Sequence, residues 1–515
     1  MKRLSILLGL LLLVCDVSSA LAFGKAKHVV VVVWDGMRPD FISESNCPTL
    51  FHLASSGVMF ANNHPVYIST TEVNGTAIAT GAYPGHDGII ANAEFRPEID
   101  PLKPFATQDF DAARKGDSVS GGHYVLAGTV AEILRQHGMK TAIAGAKPVA
   151  LLHDRKDRPE DSDSVNLFAG RTLPTNALPG ITQLEGAFPA AGNASPNRNE
   201  WTTSAVLDVL WKNEVPAYTL IWMSEPDATQ HASGPGSGPA LAAIKNVDDN
   251  LARVLLALDK KGIREQTDIM LVSDHGFSTI EALADTAAEL TKAGFNATHE
   301  FKSTPAKGDI MVVPLGGSVL VYVTGHDEAV TKRAVEFFQK WQYTGVIFTS
   351  RKMAGTFSFK EAHINSPTAP DIIVSFRWNG NHSGNGTPGL IASDAAGYHP
   401  GQGMHGSLCH YDMHNTLAAQ GPDFKQAFVD QTPSGNVDVG PTALWLLGVK
   451  PAKTMDGRVL VEALSDGPAR FTVFDEKKIE ATRRFENSTW HQYLKSIEVD
   501  NTTYFLEGNG ELSGH

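Results

Sequence analysis

The sequence predicts an α/β fold, a largely parallel sheet between layers of helices, with segments inserted over one edge. Three observations point there. Residues 28–34 (HVVVVVW) form a near-continuous, β-branched apolar run, the pattern of a strand buried on both faces. Strand-like and helix-like stretches alternate along much of the chain, which implies parallel crossovers. Ligand-type residues stand directly after several apolar runs, at the carboxyl edge of the expected sheet.

In chain order, the first strand ends in Asp35-Gly36. Residues 48–57 read as a short helix, with Pro48 near its start and Gly57 as its stop. A second helix is expected over 74–80, closed by Gly81, and then a turn at Tyr83-Pro84-Gly85. Helix-then-strand follows at 125–137 and 140–145, at 201–212 and 218–222, and at 239–258 and 268–272. The stretches 318–323, 328–342 and 371–376 continue the alternation. Segments 92–122 and 154–200 are polar and rich in Pro, Gly and Asn, as insertions or a cap over the active edge would be. A Gly/Asn-rich loop at 379–403 leads to His405. From about residue 471 the composition changes, as in a small β appendage or a mobile tail.

The 515 residues suffice for one large α/β domain with insertions or for two or three domains, and 42% hydrophobic content fits a globular protein. A formal net charge of −13 argues against binding nucleic-acid duplexes, because such a surface repels phosphate backbones. An anionic substrate would then have to be captured by local cations. The N-terminus reads as a secretory signal over 1–22: Lys2 and Arg3, an apolar run at 6–14 too short to make a good membrane span, and an Ala20-Leu21-Ala22 cleavage site. An uncleaved anchor, or lipidation at Cys15, is the alternative. A periplasmic or secreted location is expected, with no transmembrane segment after cleavage. Cys47 and Cys409 can pair in an oxidising compartment or remain as two buried thiols; sequence leaves both open.

Seven residues carry the chemical argument: Asp35, Thr71, Asp227, His231, Asp274, His275 and His405. A carboxylate after a run of buried valines is costly unless it is paired, so Asp35 is either a hard oxygen ligand or a turn cap. Asp274-His275-Gly276 repeats that logic; both side chains reach one ion only where the chain turns, which Gly276 permits. Asp227 and His231, four apart, lie on one face of a helical turn, as ligands or as part of a solvated loop. His405 lies between Gly403 and Gly406, but His399, His410 and His414 crowd the same region and spacing alone does not choose among them. Thr71 precedes the second helix. It reads as a helix cap, or as a hydroxyl that faces a bound anion and that a metal ion makes nucleophilic at neutral pH. Two neighbouring divalent cations around a hydroxyl suit displacement at phosphorus.

Together, VVVVVWDG (29–36), TTEVNGTAIATGAYPGHDGI (70–89), EPDATQH (225–231), VSDHGF (272–277), GMHG (403–406), VGPTALWLLGV (439–449) and MDGRVL (455–460) resemble the alkaline phosphatase superfamily. The match is closest to its type I phosphodiesterase / nucleotide pyrophosphatase branch. The resemblance covers about 28–462. It implies an alkaline-phosphatase-like catalytic domain at 23–465, with cap insertions near 92–122 and 154–200, and sets 466–515 apart as a C-terminal appendage.

It also implies one zinc on Asp227, His231 and His405. A second is implied on Asp35, Asp274 and His275, with Thr71 bound to it as nucleophile. Mixed His/Asp sites also accept manganese or iron. Asn92 matches the family asparagine that holds a phosphoryl oxygen together with a backbone N–H beside the nucleophile; otherwise it is an ordinary turn residue. The implied activity is hydrolysis of phosphodiester or pyrophosphate bonds in small, nucleotide-like phosphoesters through a phosphothreonine. A phosphomonoesterase or phosphonate hydrolase is the alternative.

Two departures stand out. Thr70 and Glu72 flank the nucleophile, where the family often has Lys or an aromatic residue, and Glu72 brings negative charge close to the phosphate site. Lys147 sits roughly where monoesterase relatives carry a substrate-gripping Lys, but the Arg they add two residues on is Val149 here. A sulfatase fits less well, since Thr71-Glu72-Val73-Asn74-Gly75 is not C/S-x-P-x-R. An inactive relative fits poorly, since none of the seven positions is lost. Oligomeric state is not legible.

Overall fold

The valine run forms β1 (His28–Trp34), and its side chains alternate between two cores. Val29, Val31 and Val33 pack on one face of the sheet and Val30, Val32 and Trp34 on the other, so apolar residues at every position follow from helices on both sides. The computed structural model describes residues 23–160, 163–190, 196–468 and 474–514; the expected signal segment lies outside the described residues. Among these, no helix is long and apolar enough to cross a membrane.

The central sheet has nine strands. They are β1, β2 (Val58–Phe60), β3 (Thr141–Gly145), β4 (Val165–Phe168), β5 (Arg171–Leu173), β6 (Tyr218–Met223), β7 (Thr267–Val272), β8 (Leu417–Gln420) and β9 (Phe428–Asp430). They lie in the order β9-β2-β8-β7-β1-β6-β3-β4-β5. The middle of the sheet is parallel: β1 pairs with β6 and β7, and β3 with β4 and β6. Antiparallel pairs occur at β7–β8, β2–β8 and β4–β5. The two outer strands β4 and β5 come from the 154–200 segment.

Five helices matter for the site: α1 (Pro48–Ser56), α2 (Thr71–Thr80), α3 (Asp227–Ser233), α4 (Gly238–Lys260) and α5 (Asn436–Leu446). α2 and α5 cover the face that carries Val31, while α1 and α4 cover the face that carries Val32. α2 begins three residues before the expected start and ends at Gly81, whose φ of 64° makes it a left-handed stop. The helix expected over 125–137 starts only at Val130, because Thr129 and Glu132 form a reciprocal capping box. The expected turn at 83–85 opens a short helix, Pro84–Asp87.

The strands expected at 318–323 and 371–376 do not extend the parallel sheet. They form a second, six-stranded sheet in which Ser318–Val323 pairs antiparallel with Ile310–Pro314 and Ile372–Phe376. The 379–403 region is not all loop. Trp378–His382 and Pro388–Ser393 join Ser278–Leu283 and Gly403–Met404 in a four-stranded sheet. Beyond residue 474, three antiparallel strands (Lys477–Arg484, Ser488–Val499, Thr502–Gly514) form a further sheet. Cys47 and Cys409 are both buried free thiols.

Candidate metal centre and nucleophile

Register brings the ligands together. Val33 of β1 stands opposite Val272 of β7, Trp34 opposite Met223 of β6, and Gly145 of β3 opposite Trp222. These strands run the same way and end at the same level, so Asp35, Asp274, Asp227 and Lys147 emerge side by side at one carboxyl edge. His405 comes from elsewhere. Gly403–Met404 pairs with Ser278–Thr279, just past His275, and that pairing stacks the His405 ring on His275 with centroids 3.6 Å apart. Gly276 serves packing rather than turning, since a Cβ there would overlap the Tyr411 carbonyl oxygen and its φ is not positive.

All seven residues meet. His275 Nε2 lies 3.3 Å from Asp274 Oδ2, 3.6 Å from Asp35 Oδ1 and 3.3 Å from Thr71 Oγ1. Asp227 Oδ1 lies 3.2 Å from His231 Nε2 and 3.5 Å from His405 Nε2. Asp35, Asp274 and His275 offer ligand atoms all within 4.8 Å of one another, and so do Asp227, His275 and His405. The two groups therefore adjoin at His275. Apart from His231, these side chains are nearly or wholly inaccessible.

Each imidazole is oriented by its other nitrogen. Nδ1 faces a backbone carbonyl in all three: Gly403 O for His231 (3.0 Å), Gly276 O for His275 (2.8 Å) and Ser69 O for His405 (2.9 Å). A proton on Nδ1 leaves the Nε2 lone pair pointing into the cluster, the arrangement of metal-ligating histidines. Burial keeps His275 and His405 below the usual histidine pKa. For His231 burial also works against the charge, but Asp227 outweighs it and raises the value.

The carboxylates follow one rule: one oxygen is tied, the other is not. Asp274 Oδ1 accepts from Gly36 N (2.9 Å) and His275 N (3.0 Å), and Asp35 Oδ2 accepts from Trp222 Nε1 (2.9 Å). Asp227 Oδ2 accepts from Lys147 Nζ (2.5 Å), which also lies 2.8 Å from Asp35 Oδ2. The remaining oxygens, Asp35 Oδ1, Asp227 Oδ1 and Asp274 Oδ2, are buried with no hydrogen-bond partner. Each faces an Nε2 lone pair. Two acceptors facing each other in a low-dielectric site are satisfied only by positive charge between them, a proton or a metal ion. The orphaned oxygens and imidazole nitrogens thus fit two divalent cations, zinc being the common choice for such N/O sets.

Charge balance agrees. Burial raises Asp35, and Asp227 and Asp274 raise it further. Burial lifts Asp274 to about 7. Asp227 alone is held well below the usual range, because Lys147 and His231 outweigh its burial. Three crowded carboxylates share one ammonium, so added positive charge is what the cluster lacks.

Thr71 is the first residue of α2. The residue before it, Thr70, occupies the cap position without making a side-chain cap bond. The Thr71 hydroxyl is thus not used as a cap and points at His275. Asn92 lies beside it: Asn92 Oδ1 accepts the Glu72 backbone N–H at 3.0 Å, leaving Nδ2 as the unused donor. The Glu72 side chain is buried, and burial pushes its carboxyl up to about 8 with Lys147 opposing. Two further residues hold the cluster: Trp222 donates to Asp35 Oδ2, and Asn436 donates its side-chain amide to the Asp274 backbone carbonyl at 2.6 Å. In the sequence Trp222 has a visible signal as the polar tip of a strand end, while Asn436 has none.

A family model described as type I phosphodiesterase / nucleotide pyrophosphatase matches residues 29–407. Mouse bis(5'-adenosyl)-triphosphatase enpp4 is 21% identical over 255 residues, 49% of this chain and 48% of the relative. Human ectonucleotide pyrophosphatase/phosphodiesterase family member 1 is 24% identical over 250 residues, 47% of this chain and 22% of the relative. The matches thus span about half or less of these curated relatives. Among solved structures, human ectonucleotide pyrophosphatase / phosphodiesterase 5 superposes with TM-score 0.59 at 16% identity, covering 85% of this chain and all of the other. An inactive murine form in complex with AMP gives the same TM-score, identity and coverage. The α/β fold is the one these structures share.

Proposed function

Because this chain belongs to the type I phosphodiesterase / nucleotide pyrophosphatase family, we propose that it hydrolyses phosphodiester or pyrophosphate bonds of small, nucleotide-like substrates, with Thr71 as nucleophile. The observation that carries this reading is the Thr71 hydroxyl, 3.3 Å from His275 Nε2 and spared from helix capping, at the edge of two adjoining ligand groups.

Asp227, His231 and His405 would hold one cation, and Asp35, Asp274 and His275 the other. Two zinc ions there would supply acidity to the threonine hydroxyl, the leaving oxygen and the attacking water. Thr71 Oγ1 attacks phosphorus in line as the P–O bond to the leaving group breaks; the departing oxygen takes up a proton, and a Thr71 phosphoester remains. Water then cleaves that ester and restores the hydroxyl. Asn92, its carbonyl oxygen engaged by the Glu72 N–H, turns Nδ2 to a non-bridging oxygen as charge builds there. Lys147, on which a monoesterase or phosphonate-hydrolase reading would depend, is engaged by two carboxylates. The reading includes export to the periplasm or beyond, consistent with the signal-like start of the chain.

The test is Thr71→Ala, assayed on bis(p-nitrophenyl) phosphate and on a nucleoside 5'-(p-nitrophenyl) phosphate. Turnover should vanish while zinc content stays near that of the wild type. Undiminished turnover in this variant would remove Thr71 from the mechanism.

A further inference from the structure

Asp35 and Asp227 use different oxygens for the two jobs they do. Asp35 turns Oδ1 to His275 Nε2 (3.6 Å) and Oδ2 to Lys147 Nζ (2.8 Å). Asp227 turns Oδ1 to His231 and His405 (3.2 and 3.5 Å) and Oδ2 to Lys147 (2.5 Å). Lys147 therefore joins one ligand of each group through the oxygens that do not face the imidazoles. It reaches that place from just beyond the end of β3, with a fifth of its side chain exposed (21%).

We propose that Lys147 is the resident counter-ion of the centre, clamping Asp35 to Asp227 so that both ligand sets stay in register in the metal-free chain. The inference rests on the two-cation reading above and assigns Lys147 to positioning rather than to substrate. Without metal, Lys147 is the only Lys or Arg among the described residues that contacts these carboxylates, and its loss leaves Asp227 Oδ2 buried with no partner. An uncompensated buried charge is strongly destabilising. Asp35 is less exposed to that loss, because Trp222 Nε1 still holds its Oδ2. With two divalent cations bound, their charge replaces that of the ammonium, and Lys147 then stands close to like charge. Lys147 thus stabilises the metal-free chain more than the loaded one, so by linkage its removal must tighten metal binding.

The test uses full-length Lys147→Met, similar in length and uncharged. Thermal melts in chelator and in zinc are compared, and zinc affinity is measured by competition with a chelating dye. Expected are a melting temperature that falls more without zinc than with it, and zinc binding at least tenfold tighter than in the wild type. Equal loss in both forms, with zinc affinity unchanged or weaker, overturns the proposal. If the variant does not fold without metal, it is purified zinc-loaded and its zinc release into excess chelator is timed. Release slower than in the wild type supports the clamp; equal or faster release overturns it. None of these readouts uses turnover, so a wild type that binds zinc but cleaves no phosphodiester sinks the functional reading alone. A wild type that binds no divalent metal sinks both.

Discussion

Asn436 donates its side-chain amide to the backbone carbonyl of Asp274 at 2.6 Å, from 162 residues away in the chain. The same nitrogen donates to Asn74 Oδ1 at 3.0 Å, and Asn74 Nδ2 bonds the carbonyls of Val66, Ile68 and Thr70. Asn436 Oδ1 accepts from Asn415 at 3.0 Å, and Asn415 Oδ1 accepts from Asn63 at 2.8 Å. All four asparagines are fully buried. The start of α2, which carries Thr71, and the pair Asp274-His275 are thus joined by one side chain.

Asn436→Ala should therefore harm catalysis as well as stability. It strands the Asp274 carbonyl, at a cost of about 1–3 kcal/mol for a group left unsatisfied, while Asn74 Oδ1 keeps the Val66 N–H at 2.8 Å. Loss of an outer-shell partner of a metal site typically costs about 10–100-fold in affinity or activity. Urea melts and kcat per folded, zinc-loaded molecule check both parts; a stability loss with unchanged kcat would make the link purely structural.

Asn92→Ala should lower the rate of diester cleavage by about 10²–10³-fold, the usual effect of removing one donor to developing phosphoryl charge. The Glu72 N–H would lose its acceptor at the same time. The decisive comparison is kcat at saturating substrate. A change confined to KM would place Asn92 in ground-state binding instead.

Chelation should abolish hydrolysis and lower the melting temperature, with zinc restoring both. A ligand present at 100 times its dissociation constant stabilises the folded state by about 2.7 kcal/mol. Calorimetry with and without a chelator reads this directly, and full activity in strong chelator would be incompatible with the proposed centre.

Away from the site, Asp268 makes stability depend on pH. Burial, reinforced by Asp423, lifts its pKa from 3.8 to about 9. The folded state then holds a proton that the unfolded chain releases above about pH 4. The sign follows: this contribution is fully present below the unfolded pKa and is lost as pH rises towards 9, at up to about 1.4 kcal/mol per pH unit. Asp268→Asn, which cannot ionise, should be more stable than the wild type at pH 8 and flatten the profile between pH 5 and 8. Identical profiles would remove Asp268 from that dependence.

How much was legible varies by element. β1 falls on the residues the valine run marks, and Ser318–Val323 likewise matches its apolar stretch. Yet the two strands lie in different sheets, one parallel to its neighbours and one antiparallel. Periodicity reports that a segment is buried; it does not report which strand lies beside it or in which direction. The Asp35 and Asp274 positions were readable because a carboxylate directly after a buried run requires a reason. His405 was not separable from His399, His410 and His414 by spacing, because the pairing of Gly403–Met404 with Ser278–Thr279 is what selects it. From the sequence Gly276 suggests a turn, whereas the structure uses it to admit the Tyr411 carbonyl, 135 positions away.

By itself the sequence determined the layered α/β class, the strand ends that carry polar ligands and the family, because burial patterns and short motifs are local. Only the tertiary structure decided which carboxylate oxygen faces an imidazole and which faces Lys147, and how Asn436 reaches Asp274. Those are relations between segments 80 or more residues apart, set by strand register and by the demand that every buried polar atom find a partner.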